Sequence, residues 1–246
     1  MKKGEKMAEE YSFPPYGEEV SKVIEKFGGT KMESYDGDDI TPLWDLKGGP
    51  ILWSYKYLYS APKLEKLVLT EQSFKDKLMI YGATVWPDDE YALPVYSSFW
   101  AESEKGSYFI IDFYPIADCI CDIPYMEKYL EPLEDLYDEG KEHFPGISTR
   151  DPNWFRAMVS PYYINADFHP STKEKQDRLL KLTTDYLNVY YDLWKKDEPA
   201  DAEYMKGLNA KKQAIRQNLR EKDPGGIMIE HAVGKELAEI SLKALF

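Results

Sequence analysis

Cysteine and histidine are scarce in this chain: two and three residues respectively in 246. Cys119 and Cys121 stand one residue apart, and two thiolates alone neither fill a tetrahedral zinc site nor hold an iron–sulfur cluster. They read as free thiols beside a strand end. His143, His169 and His231 have no second His or Cys at ligand spacing, so metal chemistry has no support. No apolar run approaches the ~20 residues of a membrane helix. The basic start Met1-Lys2-Lys3-Gly4-Glu5-Lys6 leads into no apolar signal core, so a cytoplasmic chain with no membrane segment is expected. Basic residues are the minority, 31 Lys plus Arg against 44 Asp plus Glu, for a net charge of −13. That balance disfavours nonspecific nucleic-acid binding, which depends on neutralising phosphates. Nucleotide motifs are missing too: Gly28-Gly29 and Gly48-Gly49-Pro50 read as turns, not as a dinucleotide fingerprint or a P-loop. No Ser sits in a nucleophile elbow, and neither Cys has an evident His partner. An enzyme with this inventory works through carboxylates, or on a substrate that itself holds the reactive electrons.

Aromatic residues are plentiful, at 15% of the chain. A first helix is expected from Tyr16-Gly17-Glu18, with Val20, Val23, Ile24 and Phe27 on one stripe and Gly28-Gly29 as its stop. Segments rich in β-branched and aromatic residues then recur at Ile51–Tyr57, Leu64–Thr70, Leu78–Trp86, Pro94–Trp100 and Tyr108–Tyr114. Turn residues separate them and leave no room for crossover helices, which predicts an antiparallel meander. The second half reads as helical. One segment runs from Met126 to His143, kinked or split at Pro132. The longest begins after His169-Pro170-Ser171 and carries Leu179, Leu182, Tyr186, Tyr190 and Leu193 on one stripe. Another ends near Lys222, and a terminal helix carries Ile229, Val233, Leu237 and Ile240. Strands followed by helices predict an α+β layer fold, and a single domain over residues 1–246 is expected. Two acids stand out by context. Asp112 lies in the apolar strand Tyr108–Pro115, where a hydrogen bond to neighbouring backbone is the plainer role; Asp223 lies where two helices meet, where a cap of the last helix is.

Several motifs stand in a set order: Trp86-Pro87, Tyr91–Tyr96, Ile111-Asp112-Phe113-Tyr114-Pro115, Phe144-Pro145-Gly146, Arg150-Asp151-Pro152-Asn153-Trp154, Ser160-Pro161, Lys222-Asp223-Pro224, and the ending Gly234 to Phe246. In this set, from about Trp53 onward, the chain resembles the ferredoxin-dependent bilin reductases, with the members that make 15,16-dihydrobiliverdin nearest in pattern. The resemblance implies a three-layer α/β/α sandwich, its central antiparallel sheet flanked by helices. It implies reduction of the open-chain tetrapyrrole biliverdin IXα in one-electron steps. Reduced ferredoxin is the donor, no cofactor is bound, and carboxylates supply the protons. Carried over by position, Asp223 matches the acidic proton donor, with Asp112 as a second catalytic candidate. Ser107 and Arg150 fall near positions that hold the bilin propionates, and Met228 where an apolar residue touches the pigment. Phe99 stands where the family places Asp or Asn, and Gly82 where it places His, Asp or Asn. These departures keep two alternatives open: a non-catalytic bilin-binding protein of the same fold, and an enzyme like the red chlorophyll catabolite reductases. The chain is expected to be monomeric. Lys206, Lys211, Lys212, Arg216 and Arg220 form the richest basic set, and the every-fourth spacing of the last three predicts one helix face on which an acidic ferredoxin could dock.

Overall fold

The structure is a computed structural model that describes residues 12–246 except 76, 145–150 and 224. Four short strands, β1 (Thr30–Lys31), β2 (Ser34–Tyr35), β3 (Asp38–Asp39) and β4 (Leu46–Gly48), precede five long ones. These are β5 (Ile51–Ala61), β6 (Leu64–Phe74), β7 (Leu78–Pro87), β8 (Val95–Ser103) and β9 (Gly106–Tyr114). With only turns between them, each long strand pairs antiparallel with its predecessor, as the sequence pattern predicts. The sheet order is β1-β5-β6-β7-β8-β9-β10, with β4 also on β5. Strand β10 (Ile164–Phe168) is a difference from the sequence reading. It comes after a helical excursion and pairs antiparallel with β9. Its Asn165 and Asp167 interrupt any apolar run, so only the free edge of β9 reveals it.

Eight α-helices surround the sheet among the described residues: α1 (Tyr16–Ile24), α2 (Ile123–Tyr129), α3 (Glu134–His143), α4 (Asn153–Arg156), α5 (Lys173–Lys196), α6 (Ala202–Lys222), α7 (Gly225–Val233) and α8 (Lys235–Leu245). A 3-10 turn at Glu131–Leu133 contains Pro132 and separates α2 from α3, because proline lacks the amide that would continue the ladder. The expected terminal helix is two helices, α7 and α8. Gly234 divides them with φ +86, a conformation that costs glycine little.

Two layers of helix follow from the alternation of each strand. One face of the sheet, with Leu67, Leu69, Tyr81, Val85, Trp100 and Phe113, packs on α1 and α5 in the main core. Leu179, Leu182, Tyr186 and Tyr190 of α5 are buried there; the Tyr190 hydroxyl donates to the Pro94 carbonyl at 3.1 Å. Tyr16 of α1 reaches the Ser98 hydroxyl at 2.8 Å. On the other face Leu58 and Val68 meet Ile40, Leu43 and Ala244 in a second, smaller core, and α6 to α8 close over the rest.

The basic stripe of α6 is not a docking face. Lys212 is fully buried; its Nζ donates to the Pro87 carbonyl at 2.9 Å and pairs with Asp89 at 2.7 Å. Arg216 stacks over Trp86, 4.7 Å from the ring centroid, and pairs with Glu65. Arg220 donates to the Lys243 carbonyl at 3.3 Å. The nitrogen of Lys211 is tied to the Ala117 carbonyl at 2.5 Å. Every-fourth spacing fixes a helix face but not what that face meets, and here it meets the sheet.

Two glycines test this packing in opposite directions. A Cβ on Gly48 of β4 would stand 2.3 Å from the backbone carbonyl oxygen of Ala232 in α7, whereas one on Gly207 in α6 would meet nothing within 4 Å. Gly48→Ala is expected to destabilise by about 1–3 kcal/mol. Gly207→Ala is expected to stabilise by about 0.5–1 kcal/mol. Urea denaturation of both variants checks the pair.

Candidate active site

Between the second face of the sheet and α6–α8 lies a cavity of ≈ 670 Å³, within the usual range for small-molecule sites. Its floor is one row of the sheet. Lys56 pairs with Thr70, Thr70 with Gly82, Gly82 with Phe99, and Phe99 with Ile110. All five line the cavity, because directly paired residues on neighbouring strands share a face. Gly82 contributes backbone only, and its neighbour Phe99 contributes a ring, packed edge-on to Tyr108 at 6.2 Å between centroids. Leu219, Asp223, Met228, Ile229, Leu242 and Phe246 form the helical wall opposite, and Trp154 and Phe155 stand at one side. Met228 is half exposed, which puts it at the rim.

The ionisable groups lining the cavity among the described residues are Lys56, Tyr108, Tyr114, Asp151, Lys222 and Asp223. Asp151 is buried and engaged by its neighbours. It accepts from the hydroxyls of Tyr108 at 2.5 Å and Tyr163 at 2.9 Å, and from Asn165 Nδ2 at 2.6 Å. Asp223 ends α6, and its Oδ1 accepts the Gly225 amide at 2.8 Å, so it also caps the start of α7. Burial raises its carboxyl above the ordinary range, while the Gly225 amide and the charge of Lys56 pull the other way. Lys56 is fully buried and donates to the carbonyl of Ser241 at 2.8 Å and its hydroxyl at 2.7 Å. Burial pushes its amine down to about 7, against the opposing charge of Asp223.

The structure brings Gly82, Phe99, Met228 and Asp223 to one cavity, and it separates two other candidates from it. Ser107 is on the opposite face of the sheet. Its hydroxyl bonds to Glu102, which is held in turn by Trp100 Nε1 at 2.8 Å and by Gln176 of α5 at 2.9 Å. In β9 the even-numbered residues Tyr108, Ile110 and Tyr114 line the cavity, so odd-numbered Ser107 cannot reach a ligand there. Asp112 has the right parity but does not line the cavity. Its carboxylate accepts the amide of Ser160 at 2.7 Å and the Ser160 hydroxyl, the backbone-anchoring role. Arg150 lies outside the described residues. Sequence reasoning missed Lys56, although a lysine set two residues before Leu58 in an apolar strand shares its buried register. No cluster of His, Cys, Asp and Glu that could hold a metal occurs among the described residues.

The sheet thus carries on one face a mainly apolar cavity with two acids, Asp151 and Asp223, and two basic side chains, Lys56 and Lys222, in its lining, and helices cover both faces of the sheet, which defines an α+β sandwich. Residues 43–246 match the ferredoxin-dependent bilin reductase family, and the chain belongs to it: it is an oxidoreductase that reduces biliverdin-type tetrapyrroles with electrons from ferredoxin. The fold is that of the crystal structure of phytochromobilin synthase from tomato, solved in complex with biliverdin. The TM-score is 0.81 at 18% identity, over 92% of this chain and 80% of that one. No curated protein sequence matches the chain. No described helix is long and apolar enough to cross a membrane.

The anchoring role of Asp112 has a pH signature. Burial raises its carboxyl from 3.8 to about 7, so between those values the folded protein holds a proton that the unfolded chain has released. Stability therefore falls as pH rises through that window, by up to about 4 kcal/mol, and is flat in this contribution above it. Asp112→Asn is expected to remove that slope and to equal or exceed the wild type at pH 8, as measured by urea denaturation across pH.

Proposed function

We propose that the cavity binds one biliverdin IXα per chain, with the pigment lying over the Gly82–Phe99 row, and that Asp223 donates a proton to it during reduction. The observation that carries this reading is the position of Asp223. It is a mostly buried carboxyl at the wall of a pigment-sized cavity, held in place by the Gly225 amide. A raised pKa keeps the group protonated and able to donate, and an electron added to a conjugated bilin makes that molecule more basic. The bare backbone of Gly82 leaves room for a flat ring system, and Phe99 and Trp154 offer faces to stack on. Met228 at the rim supplies apolar contact. With Phe99 in the floor row, the carboxyl comes from the helical side.

Asp223→Asn keeps the size and much of the capping ability of the side chain, at a cost of at most about 1 kcal/mol. Titration with biliverdin is expected to shift the pigment absorption and quench Trp fluorescence equally in wild type and variant. With reduced ferredoxin under anaerobic conditions, the wild type is expected to consume the biliverdin band and the variant to stall at a radical. In the wild type the rate is expected to fall as pH rises through the raised pKa of Asp223. Turnover by the variant at the wild-type rate would place the donor elsewhere.

A further inference from the structure

The cavity also holds a buried amine, carried by the sheet instead of the helices. Of the five residues in the floor row, Lys56 alone ionises. It is fully buried at the β5 end of that row and lines the cavity. An ammonium has three N–H donors, and two of them are taken by the carbonyl and hydroxyl oxygens of Ser241 on α8. Among the described residues no third acceptor is bonded to it, which leaves one donor for whatever fills the cavity. A neutral amine has two N–H bonds, the number that Ser241 accepts. Loss of one proton therefore leaves the anchoring of the side chain intact, which suits a group that gives a proton and takes it back.

Resting on the reading of this cavity as the bilin site, we propose that Lys56 is a second proton donor to the pigment, acting from the sheet while Asp223 acts from the helices. Reduction of one double bond takes two electrons, supplied singly by ferredoxin, and two protons. In the step assigned to Lys56, one Nζ–H bond breaks and that proton bonds to the singly reduced bilin. The amine that remains, still held by Ser241, regains a proton from water before the next turnover. The charged groups around Lys56 are Asp223 at the end of α6, Lys222 beside it, Asp151 across the cavity, and Lys66 on β6, whose nitrogen is bonded to the Lys243 carbonyl at 3.0 Å.

Two variants separate proton donation from charge. Lys56→Met removes the proton and keeps the length. Lys56→Arg keeps the charge and the donors but holds its protons at all working pH values. With biliverdin IXα and reduced ferredoxin under anaerobic conditions, both variants are expected to bind pigment within about threefold of the wild type. Both are expected to form the one-electron radical seen by electron paramagnetic resonance, and to make product about 10²-fold more slowly. Wild-type turnover by Lys56→Met overturns the proposal; turnover restored by Lys56→Arg shows a purely electrostatic role, and loss of binding a purely binding one. Should neither variant fold, Asp223→Asn carries the test with Lys56 intact. Its radical is expected to change from the protonated to the unprotonated spectrum as pH rises through the lowered pKa of Lys56, which falls further once the charge of Asp223 is gone, and a spectrum independent of pH overturns the proposal. A wild type that neither binds nor reduces biliverdin would instead remove the bilin reading itself.

Discussion

Side chains on an antiparallel strand alternate between faces, and this sheet is covered by helices on both of them. The side chains of one face enter the core with α1 and α5. Those of the other divide between a small core under α8 and the cavity. Because the partition is by parity, a shift of one residue in any strand would exchange a core set for a cavity set. The same rule puts Ser107 and Tyr108, neighbours in sequence, into different environments: one in a hydrogen-bonded cluster with Glu102, the other at the pigment-sized space.

Low dielectric then decides which charges are held inside. Three buried lysines on β5, β6 and α6 each have acceptors: Lys56 has Ser241, Lys66 has the Lys243 carbonyl, and Lys212 has Pro87 and Asp89. A buried charge left without such partners would cost several kcal/mol. Burial pushes Lys66 down to about 6 and Lys56 to about 7. These contacts also account for the failure of the α6 stripe as a docking surface. Its cations are spent on joining α6 to β6, to the end of β7 and to α8.

Most of the sheet was legible in the sequence because it is built from consecutive hairpins, whose strands are long, aromatic and punctuated by turn residues. The helix split at Pro132 was legible for the same local reason. Strand β10 was not, since what makes Ile164–Phe168 a strand is the distant edge of β9. The break at Gly234 was hidden by apolar spacing that runs on across it. At the site, Gly82, Phe99, Met228 and Asp223 came from resemblance by position, and the fold gathers them. Lys56 escaped because, although its shared register with Leu58 points to a covered face, the Ser241 oxygens that receive it come from α8, far along the chain. Ser107 was misplaced because its position along the chain says nothing about its parity in β9.

The floor row also works as a graduated scale. Strands in a sheet are spaced about 4.8 Å apart, so Lys56, Thr70, Gly82, Phe99 and Ile110 mark off five positions over about 19 Å. A carboxylic acid written into the row at successive strands would therefore move across the cavity floor in steps of about 4.8 Å, with the order of the strands unchanged. Place along the cavity is in this sense a matter of address, set by which strand carries a group.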